Sequence, residues 1–305
     1  MSTFAPPATV LITGGGGNLG RKLTAHLLTR DWCRRVVVAD LRADPAAFGD
    51  LPADRFELVQ ADLSDPRDRR WQEALGRVEG VVHLAAQNPY PSASWADAAA
   101  SVDITANLAA AAAKAGTRRI VFATSNHVMG GYKDAPLADG LEPGGLTTDL
   151  PPAPGTKWND GTTFVDSTAY ATAKLMGERI MRAQAEASGG ALSTVSIRIG
   201  WCQPGDNRPE TLSVIGTASK DAPPAATDAD ARRALAWYRN MWLSNPDLLR
   251  VVESALTADP SGWPSRGVVV NAMSANRGMA WDIATTERLI GYRARDDVWA
   301  HVDPV

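Results

Sequence analysis

The sequence predicts an α/β protein built on a doubly wound parallel sheet. Two observations support this fold class: short apolar runs alternate with longer helical patterns, and a cluster of glycines directly follows the first run. Strands that alternate with helices of this length form parallel sheets covered by helices on both faces. With 305 residues, the chain is long enough to bury a substantial core as one large domain or two modest ones.

The predicted elements follow one another in a regular order. The first strand covers residues 8–13, and leucines near the helical period come after the glycines. The further predicted strands are 36–40, 56–60, 81–85, 120–124, 194–198 and 268–271. The further predicted helices are 95–116, 170–187 and 246–258.

Two segments interrupt this alternation. Residues 133–168 and 209–227 are rich in Gly, Pro, Asp and Thr, and loops this long are usually functional or mobile. Because both flank the predicted site, we interpret them as lids or substrate walls. We expect residues 1–200 to form the nucleotide-binding domain with a long loop 133–168. Residues 201–305, with an insertion 209–243, would form a smaller substrate-binding lobe interleaved with it.

The bulk composition argues against several classes of protein. The net charge of −3, without a Lys/Arg-rich run, gives no reason to expect nucleic acid as a partner. Cys33 and Cys202 form neither a disulfide framework nor a metal-ligand spacing, which favours a reducing compartment. The sequence contains no long apolar stretch and no signal-like N-terminus. We therefore expect a soluble cytoplasmic protein without metal or membrane partner.

A glycine-rich turn after the first strand predicts a nucleotide site. Gly14, Gly17 and Gly20 are spaced G-x-x-G-x-x-G, and Asn18 and Leu19 lie where the next helix begins. A pyrophosphate approaches the backbone closely only where side chains are absent, and the first N–H groups of a helix attract the anion. The motif alone is weak evidence, but its position between a strand and a helix strengthens it.

Acidic residues after the next two strands extend this site. Asp40 lies twenty residues after Gly20 at the end of the second strand. A carboxylate there accepts both ribose hydroxyls and repels a 2′-phosphate, which favours NAD over NADP, although Arg42 lies close by. Asp62 and Leu63 follow the third strand and are placed to reach the adenine.

A tyrosine and a lysine lie four residues apart on a predicted helix, and a serine ends an earlier strand. Tyr170 and Lys174 share one helix face. A phenol with a pKa of about 10 is a poor base near neutrality, but a neighbouring ammonium lowers that pKa. Such a tyrosine can remove a proton from an alcohol. The spacing alone is common by chance, so the prediction depends on Ser125 and the nucleotide site upstream.

The motifs, taken in order, resemble the extended branch of the short-chain dehydrogenase/reductase superfamily, the NAD-dependent epimerase/dehydratase family. The likeness covers residues 8 to about 200. It implies a Rossmann fold, NAD as cofactor, and cofactor contacts from Tyr170 and Lys174. The motifs that carry it, besides those above, are His83-Leu84-Ala85-Ala86 and Asn107. Leu84, Ala85 and Ala86 would line the cofactor, His83 is a structural histidine by our interpretation, and Asn107 would hold a backbone turn or a relay water.

A narrower likeness concerns uronate dehydrogenases and archaeal NAD-dependent glucose-6-phosphate dehydrogenases. The similar segments are 123–130, 197–202, Arg208, 241–244 and 274–276. Those enzymes oxidise the anomeric carbon of a free aldose or uronic acid to a lactone. The resemblance implies the catalytic set Ser125, Tyr170 and Lys174.

The same likeness implies a set of substrate contacts. They are Asn88, Asn126, His127 and, at a substrate carboxylate, Arg208. Trp201 departs from the pattern because the uronate enzymes carry a small polar residue there, and Trp201 and Trp158 are placed to stack on a sugar. Lys220, Arg232 and Arg233 would form either an anion pocket or a solvated helix face.

Three functions are compared. The first is NAD-dependent oxidation of a hexose, pentose, uronate, or phosphorylated or sulfonated sugar. The second is a nucleotide-sugar epimerase or dehydratase with the same Tyr/Lys/Ser set, and the third is a non-catalytic NAD sensor, which the intact set disfavours. Helices 95–116 and 170–187 pair across a two-fold in related enzymes, and the alanines at 109–113 would allow close approach. We therefore expect a homodimer.

Overall fold

The computed structural model describes residues 4–42, 44–159, 164–213 and 228–303. Its strands, in chain order within those residues, are β1 (Thr9–Thr13), β2 (Arg35–Asp40), β3 (Phe56–Gln60), β4 (Gly80–His83), β5 (Arg119–Ser125), β6 (Lys157–Asn159), β7 (Phe164–Asp166), β8 (Ser193–Ile199) and β9 (Gly267–Ala272). The helices are α1 (Asn18–Leu27), α2 (Arg69–Leu75), α3 (Trp95–Ala115), α4 (Thr168–Ala187), α5 (Ala229–Asn240), α6 (Asn245–Thr257) and α7 (Ala284–Ile290).

Seven of these strands form one parallel sheet in the order β3-β2-β1-β4-β5-β8-β9. The chain moves outward from β1 to β3 and then crosses back to β4, so the strand order reverses between β1 and β4. Ligands of open α/β sheets bind at the carboxyl ends of strands beside such a reversal. The predicted α/β class with a doubly wound parallel sheet is confirmed.

Alternate residues of each strand contribute to opposite layers of the core. Val10 and Ile12 face a layer formed with α1 and α6, and Leu11 faces a layer formed with α2, α3 and α4. Side chains of a strand alternate between the two faces of a sheet, so a strand that is covered on both sides reads as a continuous apolar run. This explains the continuous apolar runs inside β1, β2 and β4.

A buried ion pair attaches α4 to the centre of the sheet. Glu178 on α4 accepts two hydrogen bonds of 2.9 Å from the guanidinium of Arg198 on β8. The same carboxylate accepts a 2.9 Å bond from the hydroxyl of Thr124 on β5. The side chains of Arg198 and Glu178 are only 3% and 4% exposed. One side chain of α4 is therefore fixed to two neighbouring strands.

The segment 133–168, predicted as one long loop, contains the antiparallel pair β6–β7. Two of its described residues are also bonded to the body of the protein: Gly155 N–H donates to the carbonyl of His127, and Leu146 N–H donates to that of Ala280. The expectation of a loop without regular structure is wrong here, because the strand pair is very short and lacks an apolar alternation.

Three of the helices that the structure describes were absent from the sequence prediction. The helices α2 and α7 have seven residues each, too short for a clear helical period. The third, α5, occupies part of the insertion 209–243, and its apolar face packs against the segment 126–133. The predicted loop 209–227 lies outside the described residues from 214 onward. None of the helices described is long and apolar enough to cross a membrane.

We expect Glu178→Gln to lower the free energy of unfolding by about 3 kcal/mol, because it leaves the charge of Arg198 buried without its partner. Urea denaturation followed by circular dichroism measures this loss. The matched control is Glu186→Gln on the same helix, where an ion pair with Arg182 is about half exposed, and we expect its midpoint to be unchanged. Equal midpoints for the two variants would contradict the structural role of the buried pair.

Candidate active site

The sequence-predicted residues of the cofactor half meet at the carboxyl edge of the sheet. Gly14 follows β1, Asp40 ends β2, Asp62 follows β3 and Leu84 follows β4. The carboxyl ends of parallel strands lie along one edge, so residues distant in sequence come together there.

The glycine turn leaves a cradle without side chains. Gly14 has a φ of +66°, and its N–H donates to the carbonyl of Ala39 over 2.8 Å. A Cβ on Gly14 would lie 2.7 Å from the backbone nitrogen of Ala85, so any larger residue would close the turn against the segment Leu84–Ala86. Next to this cradle α1 begins at Asn18, with no acidic residue and no side-chain cap at its first turn. A bare backbone beside a helix N-terminus fits a pyrophosphate.

The carboxylate of Asp40 contacts this glycine turn. One carboxylate oxygen accepts a 2.9 Å bond from Gly16 N–H, and the other accepts a 3.0 Å bond from Arg42 N–H. The carboxylate is partly exposed, so it retains acceptor capacity for ribose hydroxyls. A carboxylate in this position fits the ribose of NAD and opposes a 2′-phosphate.

Asn107 supports the turn after β3. Its amide nitrogen donates to the carbonyls of Leu63 and Ser64 over 3.2 and 3.4 Å. Asp62 orders the same turn by accepting bonds from the N–H and the hydroxyl of Ser64. Of the two roles considered for Asn107, the structure therefore displays the backbone turn.

Ser125, Tyr170 and Lys174 are brought together at the carboxyl end of β5. Ser125 ends β5, and its hydroxyl lies close enough to the phenol of Tyr170 on α4 to lower the pKa of that phenol. The ammonium of Lys174 donates to the carbonyl of Ala123 over 2.8 Å and lies 5.8 Å from the centre of the Tyr170 ring. Glu178, one turn further along α4, holds this helix face to the sheet.

Burial acts on the titrating groups of this set in opposite directions. Burial raises the pKa of Tyr170, and the hydrogen bond from Ser125 lowers it by a smaller amount. Burial lowers the pKa of Lys174 to about 8. The expectation that Lys174 lowers the tyrosine pKa overall is therefore not met in this structure. The cause is that the loss of water around the phenol outweighs the neighbouring groups.

Asn126 and His127 follow Ser125 directly and present free polar atoms. The Asn126 amide nitrogen donates to the carbonyl of Ile199 over 2.9 Å, and its Oδ1 is buried with no hydrogen-bond partner in the described part of the chain. His127 Nδ1 lies 2.9 Å from the hydroxyl of Ser167, and its Nε2 is likewise buried and unpartnered there. Burial lowers the pKa of His127 to about 4, so the imidazole is neutral near pH 7.

The hydrogen bonds of Ser167 indicate which ring nitrogen of His127 carries the proton. The hydroxyl of Ser167 accepts from Thr156 N–H over 2.8 Å. Its proton can go to His127 Nδ1 at 2.9 Å or to the carbonyl of Thr156 at 3.3 Å. The shorter distance favours donation to Nδ1, which makes Nε2–H the free donor.

A series of neighbouring aromatic rings extends from Tyr170 past His127. The Tyr170 ring meets the His127 ring edge-on at 5.7 Å, and Trp158 lies 6.2 Å beyond His127. Tyr238 lies 6.1 Å from Trp158 and 5.8 Å from Trp201. Trp158 and Trp201 were singled out from the sequence, but Tyr238 was not. It lies on α5, and nothing in the local pattern connects it to residues eighty positions earlier.

The remaining sequence candidates are placed elsewhere. Asn88 orders its own turn, accepting from Tyr90 N–H and donating to Asp97 at the start of α3. Arg208 is exposed, and its carbonyl accepts from the side chains of Gln203 and Thr211. His83 is buried between the hydroxyls of Thr13 and Thr105.

The predicted basic cluster of the second insertion is partly paired. Arg233 forms ion pairs with Asp134 at 3.0 Å and with Asp230 at 2.8 Å, and Arg232 lies beside it on α5. Lys220 lies outside the described residues. Among those described, no group of three or more His, Cys, Asp or Glu residues could hold a metal ion.

Comparison with known proteins gives consistent matches. The profile of the NAD-dependent epimerase/dehydratase family matches residues 10–202. The L-arabinose 1-dehydrogenase (NAD(P)(+)) of Haloferax volcanii is 30% identical, covering 95% of this chain and 97% of that protein. The NAD-dependent glucose-6-phosphate dehydrogenase of the same organism is 27% identical, covering 94% and 93%. The solved structure of a mutated uronate dehydrogenase has a TM-score of 0.65 at 24% identity, covering 96% of this chain and 84% of that one.

We expect Asp40→Ala to weaken NAD binding about tenfold, which corresponds to about 1.4 kcal/mol, because the ribose hydroxyls lose their charged acceptor. The affinity for NADP should fall less than the affinity for NAD, so the preference for NAD over NADP should decrease. Calorimetric titration with each dinucleotide measures both constants. The control is Asp44→Ala, an exposed carboxylate nearby that caps a short helical turn. An Asp40→Ala protein that retains the wild-type ratio would contradict the assignment.

Proposed function

The chain belongs to the NAD-dependent epimerase/dehydratase family, and on that premise we propose that it oxidises a free aldose or uronic acid at the anomeric carbon to the lactone. The motifs predicted a member of the extended short-chain dehydrogenase/reductase branch, and this prediction is confirmed. The prediction of an NAD-dependent enzyme is confirmed as well. The observation that carries the proposal is the meeting of Ser125, Tyr170 and Lys174 beside the free polar atoms of Asn126 and His127.

Tyr170 is the general base of the proposed reaction. Its phenolate removes the proton of the anomeric hydroxyl while the C1–H bond breaks and the C=O bond of the lactone forms. The nicotinamide of bound NAD supplies the acceptor for the hydride that leaves C1. Because burial opposes the phenolate, the charge of Lys174 on the same helix face is needed to favour it.

Ser125 orients the reacting oxygen. Its hydroxyl lies close enough to the phenol of Tyr170 to lower the pKa of that phenol, so an alcohol oxygen that bonds both groups lies where the proton is transferred. Lys174 is held in place by the carbonyl of Ala123, two residues before Ser125. The three groups are therefore positioned by the end of a single strand.

Three of the five predicted substrate contacts, Asn126, His127 and Trp201, are supported by polar atoms without partners in the described residues. Asn126 Oδ1 and His127 Nε2 offer one acceptor and one donor without partners in the described residues, which suits a sugar hydroxyl pair. The relatives named for L-arabinose and glucose 6-phosphate support a sugar as the substrate. Asn88 and Arg208 gain no such support, since one orders a turn and the other is exposed.

A second candidate is epimerisation or dehydration of a nucleotide sugar, which the family description itself favours. In that reaction the same tyrosine acts on a sugar whose oxidation is reversed or followed by elimination, so no reduced cofactor accumulates. The two functions therefore differ in the release of NADH.

We also propose a homodimer in a reducing compartment such as the cytoplasm. The helices α3 and α4 pack against each other through Ala98, Ala169 and Ala173. Next to that contact Trp95 and Met176 are 64% and 46% exposed, which supports an interface there. Cys33 and Cys202 are free thiols, which supports the compartment.

We expect stable NADH formation, seen as absorbance at the nicotinamide band, when free aldoses are added with NAD, and none with UDP-sugars. Tyr170→Phe should lower kcat by about 10²–10⁴-fold while NAD still binds, because only the proton acceptor is lost. The control is Tyr90→Phe, whose ring is 67% exposed. Turnover of UDP-sugars without net NADH would favour the epimerase, and an active Tyr170→Phe would refute the base.

A further inference from the structure

The aromatic rings beyond Tyr170 form a continuous row built largely by the two insertions. We call Trp158, Tyr238 and Trp201, which follow His127 at centre-to-centre distances of 6.2, 6.1 and 5.8 Å, the aromatic row. Trp158 belongs to the strand β6 in segment 133–168, and Tyr238 belongs to α5 in segment 209–243. The row is therefore reached from Tyr170 through His127, and two of its three rings come from the insertions.

Polar atoms along the row lack partners. Asn126 Oδ1, His127 Nε2, the indole nitrogen of Trp201 and the hydroxyl of Tyr238 are buried without a hydrogen bond in the part of the chain that the structure describes. The side chains of Asn126, His127 and Tyr238 are at most 3% exposed. Buried polar groups in native proteins are almost always paired. Free atoms at the edges of aromatic rings thus indicate a ligand with hydroxyl groups.

Two cations of the described residues near the row share one carboxylate. The ammonium of Lys133 lies 2.9 Å from Asp134, and Arg233 lies 3.0 Å from the same carboxylate. Asp134 is close enough to Tyr238 that its negative charge helps to raise the pKa of the phenol. His127 is neutral, and Arg208 is exposed on the loop bonded through Gln203 to the start of α1. An anionic group placed against the row would meet aromatic carbon and a nearby carboxylate.

We propose that the aromatic row is the sugar-ring subsite and that it selects an uncharged aldose over uronates and sugar phosphates. The inference rests on the proposed function, whose substrate class it names. A sugar ring has apolar C–H faces, which pack on aromatic rings, and hydroxyl edges, which pair with the free atoms of Asn126, His127 and Trp201. A carboxylate or phosphate packed against these rings would lose its hydration, and Lys133 and Arg233 are already paired with Asp134.

The test compares sugars that differ in a single group. With NAD saturating, kcat/KM is measured for D-galactose against D-galacturonate and for D-glucose against D-glucuronate and glucose 6-phosphate. We expect the neutral member of each set to be preferred at least tenfold. A preference for either anion would overturn the inference while leaving anomeric oxidation intact. If instead no free aldose is oxidised, the proposed function on which the inference rests is itself wrong.

Variants of the row test the same point independently. Trp158→Ala should raise KM for the preferred neutral aldose at least tenfold and change kcat less, because it removes a ring face but none of the reacting groups. Trp158→Phe should restore KM to within about threefold, since it keeps an aromatic face. Tyr90→Ala, which removes an aromatic residue that is 67% exposed, should behave as wild type. A Trp158→Ala enzyme that binds NAD normally and keeps its KM would refute the subsite.

Discussion

The buried pair between Glu178 and Arg198 is the constraint on which the site depends. Tyr170, Lys174 and Glu178 follow one another at single-turn spacing along α4, so fixing the third fixes the register of the first two. Arg198 on β8 and Thr124 on β5 both bond Glu178, and Ser125 is the next residue on β5. A rotation or a shift of α4 would therefore break this pair as well as separate the phenol from the serine.

The two halves of the site are built by different means. The cofactor half uses backbone: a glycine turn, the first turn of α1, and Asp40 held by main-chain N–H groups. The substrate half uses side chains from distant segments that meet at the end of β5. The segment 133–168 contributes to this half in two ways. Gly155 and Ser167 hydrogen-bond His127, and the ring of Trp158 lies 6.2 Å from the His127 ring. In the proposed function, the backbone half would hold NAD and the side-chain half would select the sugar.

The sequence was informative where its signals are local. The strands of the sheet, the glycine turn and the pair Tyr170 and Lys174 each depend on residues close in the chain, and the family likeness joined them in order. Contacts between distant segments could not be predicted this way. Tyr238 meets Trp158 only because α5 folds over the segment 126–133. The upward pKa shift of Tyr170 likewise results from burial, which the spacing to Lys174 does not reveal.

The central claim is that Tyr170 and NAD together oxidise the anomeric carbon and that the hydride stays on the cofactor. An aldose deuterated only at C1 tests this directly when the products are analysed by mass spectrometry. We expect the deuterium in the reduced dinucleotide, an unlabelled lactone as the sugar product, and a slower hydride step than with the unlabelled aldose. Deuterium retained in the sugar, or NAD recovered in its oxidised form, would contradict the claim.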